Sequence, residues 1–107
     1  MRQPPQVVDN AGARRFEILV DDEVAGYAEY HPTGTSRSFT HTLIEPRFEG
    51  QGLGSLLARG ALDAARQDGL QVLPYCPFIR SFIERHPDLL DLVPPQRRAE
   101  FQLPTAE

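Results

Sequence analysis

The chain has no tryptophan, a single cysteine and no surplus of positive charge, and each shortage removes a class of protein. With only six phenylalanines and three tyrosines, its core must be built mainly from Leu, Val, Ala and Phe. Cys76 alone rules out an internal disulfide and suits a reducing compartment, so a cytoplasmic location is expected. No apolar run approaches the roughly 20 residues that cross a bilayer. Met1-Arg2-Gln3-Pro4-Pro5 also lacks the apolar stretch of a secretory signal, and no membrane partner is expected. His31, His41, His86 and Cys76 lack the paired spacing of a zinc site, so no metal is expected. The net charge is −4 and the basic residues are scattered, as at Arg37, Arg59 and Arg66. A nucleic-acid partner is thereby disfavoured, because a duplex-binding surface concentrates its cations on one face. The acidic balance is compatible with a cationic, amine-bearing substrate, although solubility explains it equally well.

The 107 residues make one domain, with an ordered core expected over about 7–93. Residues 1–12 read as a polar arm, with Val7-Val8 as a short edge strand, and the proline-rich stretch from Pro94 reads as a flexible tail. Phe16, Ile18 and Val20 alternate as a half-buried strand does. Val24–Tyr30 and Ser38–Ile44 continue the pattern, with turns at Asp21-Asp22-Glu23 and Pro32–Ser36. From Gly52 to about Asp68 the period becomes helical. Leu53, Leu56, Leu57, Gly60, Ala61 and Ala64 form the predicted apolar face, and Gly69 marks the stop. Leu70–Leu73 is a short strand, and a strand–helix–strand unit of this length favours a parallel pair. Cys76-Pro77 opens a second helix, with cysteine as its cap, which breaks at His86-Pro87.

Between the third strand and the first helix lies Phe48-Glu49-Gly50-Gln51-Gly52-Leu53-Gly54-Ser55. Glycine at every second position opens the backbone, and amides at a helix start sit at the positive end of its dipole. Spacing alone is consistent with either an anion-binding loop or a tight structural turn. A Walker loop is excluded, because Gly54 is followed by Ser55-Leu56 rather than Lys and a hydroxyl residue. A Rossmann turn is excluded by the two-and-two glycine spacing and by the strands that come first.

Element order and motifs together resemble the GNAT-type N-acetyltransferases, most closely their minimal group of roughly hundred-residue proteins. The likeness is carried by Arg15-Phe16-Glu17, Ala28-Glu29-Tyr30, His41-Thr42, Phe48 through Ser55, Cys76-Pro77-Phe78 and Ile83-Glu84-Arg85-His86-Pro87. It implies an α/β (α+β) fold with a mixed, mostly antiparallel sheet, a parallel β-α-β unit and a C-terminal helix. It also implies acetyl-CoA as cosubstrate, with its pyrophosphate on backbone amides of Gly50, Gln51, Gly52, Leu53, Gly54 and Ser55. The pantetheine arm would enter between the segment ending at Ile44-Glu45 and the segment Val72-Leu73. Glu49 departs from the family pattern, standing where Arg or Gln is usual.

Acetyl transfer needs a neutral amine, a stabilised oxyanion and a proton for the departing thiolate. Phe82 and Leu89 stand where the resemblance leads one to expect a tyrosine, and neither donates a proton. Cys76, at a helix N-terminus that would stabilise its thiolate, is the candidate acid or nucleophile, and His41 the candidate base. A small, inert, buried cap is the competing role for Cys76. The sequence thus points to an N-acetyltransferase acting on an amine of a small molecule or protein. Its rivals are a non-catalytic acyl-CoA-binding module and an interaction protein that has lost the cofactor. The fold's small size leaves room for a protein partner to complete the acceptor cleft.

Overall fold

A computed structural model describes residues 3–104. Five strands lie in sequence order across one sheet: β1 (Gln6–Asn10), β2 (Arg15–Val20), β3 (Glu23–Thr33), β4 (Ser36–Ile44) and β5 (Gln71–Pro74). The first four are antiparallel neighbours joined by short turns, and β5 lies parallel to β4. Helix α1 (Leu53–Gln67) makes the crossover between them, and α2 (Pro77–Arg85) follows β5. This is the mixed α/β architecture expected from the sequence.

Two features of the pairing of β4 position the residues at its end. Glu29 pairs with His41 but Tyr30 pairs with Phe39, so Thr40 is an extra residue in β4, a β-bulge. The parallel pairing of β4 with β5 runs from Ser36 opposite Gln71 to Phe39 opposite Pro74. One more bond, from the Cys76 amide to the Phe39 carbonyl (2.8 Å), closes the ladder. Past that point the chain turns into α2, and β4 continues to Ile44 with no β5 partner.

Helix α1 lies across one face of the sheet and buries Leu53, Leu57, Ala58, Ala61, Leu62 and Ala65. This corrects the predicted face. Leu56 is 48% exposed and Ala64 only half-buried, whereas Ala58, Leu62 and Ala65 are covered. The buried stripe is centred about one residue beyond the expected one, because the helix sits over the middle of the sheet. Gly60 lies at the stripe's edge against β1, where a Cβ would come within 2.8 Å of the Val7 side chain.

Both chain ends are more structured than composition suggested. The edge strand expected at Val7-Val8 forms and is longer than expected, with Gln6–Asn10 paired with β2 along their whole length. The Tyr30 hydroxyl donates to Asp9 at 2.6 Å, and burial, followed by that carboxylate, pushes the phenol up to about 12. Beyond Pro94, read as a flexible tail, the chain makes two further 3-10 turns and buries Phe101 and Leu103. Phe101 packs edge-on against Tyr75, 5.1 Å between ring centres, and Arg98 Nε donates to the Val93 carbonyl at 3.0 Å. Two apolar side chains and one buried arginine outweigh the prolines.

The sheet face opposite α1 carries Asn10, Arg15, Glu17, Tyr27, Glu29 and His41. Asn10 Nδ2 (3.0 Å) and Arg15 Nε (2.8 Å) both donate to Glu17 Oε2. The Asn10 amide, and then Arg15, hold the Glu17 carboxyl below the usual carboxylate range against the opposing effect of burial. A group depressed in this way adds stability above its unfolded pKa and loses it as the pH falls through the folded one. The wild type should therefore lose more stability than Glu17→Gln on acidification below about pH 4. Urea denaturation across that range measures the difference, and parallel losses would contradict it.

Candidate active site

The loop from β4 to α1 is shaped by one buried anchor and two glycines in the left-handed region. Residues Pro46–Phe48 form a 3-10 turn whose Phe48 is buried in the core. Gly50 (φ +83°) and Gly52 (φ +74°) then swing the chain into the helix. A Cβ at either would meet nothing within 4 Å, so backbone conformation rather than crowding requires glycine there. Gly54 has a different task. Its missing Cβ admits the Phe78 ring of α2, whose Cζ would lie 2.9 Å from it.

Gly52 is the N-cap of α1 and has no side chain to cap with, and the first turn holds no acidic residue. The amides of Leu53, Gly54 and Ser55 therefore lack intrahelical acceptors at the positive end of the helix dipole. They border a pocket of about 410 Å³ whose other walls are Thr42 and Ile44 of β4, Phe48, and Phe78 of α2. Of the residues expected to hold the cosubstrate, Ile44, Gly50, Gly52, Leu53, Gly54 and Ser55 line this pocket. Glu45 and Gln51 are exposed and stand outside its lining, and the Glu45 amide is already donated to the Ala25 carbonyl at 2.8 Å. Glu49 does line it, an exposed carboxylate at the mouth. No arginine lines the pocket, so the positive potential on its wall is that of the backbone amides at the start of α1.

Thr42 also lines the pocket, and its Oγ1 lies 3.2 Å from the Cys76 Sγ in a hydrogen bond that either atom can donate. Cys76 is 3% exposed and occupies the N-cap of α2 with Pro77 at the first helical position. Its sulfur makes no capping bond to the helix and is turned towards β4 instead. His41 does not join it. That imidazole is exposed on the opposite sheet face, 6.1 Å from the Tyr27 ring, beside Glu29 in the adjacent strand. The bulge at Thr40 is the reason. Tyr30 and Ala28 share one face of β3, so their partners Phe39 and Thr42 share the corresponding face of β4, and parity is reversed across Thr40. Simple alternation from Phe39 would have put His41 there. Nothing in the residues around position 40 announces the bulge, and Thr42 was therefore missed as the neighbour of Cys76.

Tyr75 and the other two histidines stand apart from this pair. The Tyr75 hydroxyl accepts from Arg97 (3.0 Å) and faces Glu100 (3.5 Å) on the C-terminal segment. His86 closes α2, its ring stacked on Phe82 and its Nδ1 2.8 Å from the Phe82 carbonyl. His31 is exposed. Among the described residues no cluster of His, Cys, Asp or Glu could hold a metal ion, and no helix is long and apolar enough to cross a membrane.

A family model described as GCN5-related N-acetyl-transferase matches residues 15–92, which include both strand β4 and the glycine loop. The chain belongs to that family. Its fold also superposes on the solution structure of a GCN5-like protein from Staphylococcus aureus, with a TM-score of 0.63. That match spans 83% of this chain and 87% of the other at 20% identity, a likeness of fold alone. Within the GCN5-related N-acetyl-transferase family, this chain places apolar, buried Phe82 and Leu89 at the two positions where a phenolic acid was expected. Thr42 of the pocket wall, with Cys76 hydrogen-bonded behind it, offers a proton-bearing pair on the β4 side.

Proposed function

We propose that this protein transfers the acetyl group of acetyl-CoA to a primary amine. One observation carries the reading: a single pocket joins an uncapped helix N-terminus to the stretch of β4 that has no β5 partner, and its wall includes Thr42, which is hydrogen-bonded to Cys76 behind it. The amides of Leu53, Gly54 and Ser55 at the start of α1 suit the pyrophosphate, and the β4 edge that has no β5 partner suits the amide-bearing pantetheine arm as a surrogate strand. Held at both ends, the thioester lies in the gap between β4 and α2, level with Thr42.

The pantetheine fills the α1 side of that gap, so the amine arrives from the other face, where His41, Glu29 and Tyr27 stand. His41 there takes the proton off the ammonium and leaves the nucleophilic amine. The nitrogen adds to the carbonyl carbon, the C–S bond breaks, and the CoA thiolate needs a proton. Cys76 supplies it. Its sulfur is buried and does not itself line the pocket, which favours a proton donor over a nucleophile that must reach the carbonyl. A free thiol in this role suits the reducing cytoplasm, to which we assign the protein.

Calorimetric titration with acetyl-CoA, followed by mass spectrometry of amine mixtures, tests the reading. Wild type should bind and yield acetylated amine. Cys76→Ala should bind equally and release CoA about a hundredfold more slowly. Binding with no product from any amine would leave a non-catalytic acyl-CoA-binding module. Undiminished turnover by Cys76→Ala would remove that thiol from the chemistry.

A further inference from the structure

Between Cys76 and the pocket stands a hydroxyl that can both accept and donate. We propose that Thr42 relays the Cys76 proton to the departing sulfur of the acetyl donor, an inference that rests on the acetyl-CoA reading above. The Cys76 sulfur is closed off from solvent and has Thr42 Oγ1, at 3.2 Å, as its hydrogen-bond partner. Thr42 lines the pocket and Cys76 does not. A proton leaving the thiol for that pocket therefore meets the threonine oxygen first. The hydroxyl offers one donor and two acceptor sites, so it can take a proton from S–H while giving its own away. Its β-branched side chain is stiff about χ1, and the strand pairing of Thr42 with Ala28 fixes its backbone.

The step balances without a further reagent. As the C–S bond of the tetrahedral adduct breaks, its electron pair goes to the CoA sulfur. The Thr42 O–H proton moves to that sulfur while the Cys76 S–H proton moves to the Thr42 oxygen. Cys76 is left as a thiolate at the N-terminus of α2, whose first turn holds no acidic side chain. The proton shed by the attacking amine returns to it through solvent, and the sum is amine plus thioester giving amide plus thiol.

Two variants and two donors test the relay. Thr42→Val keeps the shape and removes the hydroxyl, whereas Thr42→Ser keeps the hydroxyl. With butylamine as the amine probe and thiol release as the readout, Thr42→Val should turn over acetyl-CoA about a hundredfold more slowly. Its melting temperature and its calorimetric affinity for acetyl-CoA should match the wild type, and Thr42→Ser should restore most of the rate. The second donor is S-acetyl-4-nitrothiophenol, whose thiolate departs without a proton. With it, Thr42→Val and wild type should react alike. Wild-type rates for Thr42→Val with acetyl-CoA, an equal loss in Thr42→Ser, or an equal loss with the aryl thioester would each overturn the relay. A wild type that binds acetyl-CoA and turns it over while Thr42→Val does the same refutes the relay alone. A wild type that binds no acetyl-CoA overturns the functional reading, and the relay falls with it.

Discussion

Gly52→Glu is expected to weaken acetyl-CoA binding by more than about a hundredfold while leaving a folded protein. In the proposed binding mode the phosphates of the donor sit on amides around one residue, the side-chain-free N-cap of α1. A glutamate there adds a second carboxylate beside Glu49 and fills space that is open in the wild type. Its like charge opposes the helix dipole at the point where the dipole is strongest. The backbone cost is separable from the charge. Any L-residue at φ +74° strains the turn by about 1–2 kcal/mol, so Gly52→Ala reports that part. Gly52→Ala should melt at a similarly lowered temperature and yet bind far better than Gly52→Glu. Removing the charge at the neighbouring position works in the opposite sense, and Glu49→Gln should bind acetyl-CoA more tightly than wild type. Calorimetry on the three variants measures all of this. Equal affinity in Gly52→Glu and wild type would move the phosphates away from this loop.

Where the sequence was legible, and where it was not, depends on the range of the forces involved. Strand alternation, the shift to helical period at Gly52 and the Cys76-Pro77 helix start are local signals, and all three elements form. The glycine loop was legible for the same reason, since positive φ at positions 50 and 52 is a local demand. The tail beyond Pro94 was not, because burial of Phe101 depends on Tyr75, far away in the chain. The rotated face of α1 was not, because the position of a helix over a sheet is a tertiary choice between nearly equivalent apolar stripes. The role of Gly54 was hidden similarly: it answers to Phe78, not to its own dihedral angles. The most consequential gap came from one residue. The bulge at Thr40 exchanges His41 for Thr42 beside Cys76, and it also puts the proposed base, His41, and the proposed acid, Cys76, on opposite faces of the sheet. A base on the acceptor side and an acid on the thiol side is the arrangement acetyl transfer requires, and a bulge-free strand would have put both on one side.

Gly26→Ala is the second large effect, and it connects the stability of the sheet to the pocket. Gly26 lies in β3 directly opposite Ile44, the last residue of β4 and one wall of the pocket. A Cβ at position 26 would sit 2.5 Å from the Leu43 carbonyl oxygen, 2.5 Å from Ile44 Cδ1 and 3.1 Å from Ile44 Cα. The side-chain methyl can rotate away, but the carbonyl and the Cα cannot. One added carbon must therefore push the end of β4 away from β3, at a cost of about 2–3 kcal/mol. For a domain of this size that lowers the melting temperature by about 10–20 °C. The displaced segment is the unpaired stretch of β4, so its motion meets no resistance from β5 and goes into the pocket. Acetyl-CoA affinity should fall together with stability, even at temperatures where the variant is fully folded. Gly34→Ala is the control: its φ of +61° carries the left-handed penalty, but a Cβ there meets nothing within 4 Å and the site is remote from the pocket. It should lose some stability and no affinity. If Gly26→Ala melted with the wild type, β4 would be free to shift beside β3. The pocket wall at Ile44 would then be set by the ligand rather than by the sheet.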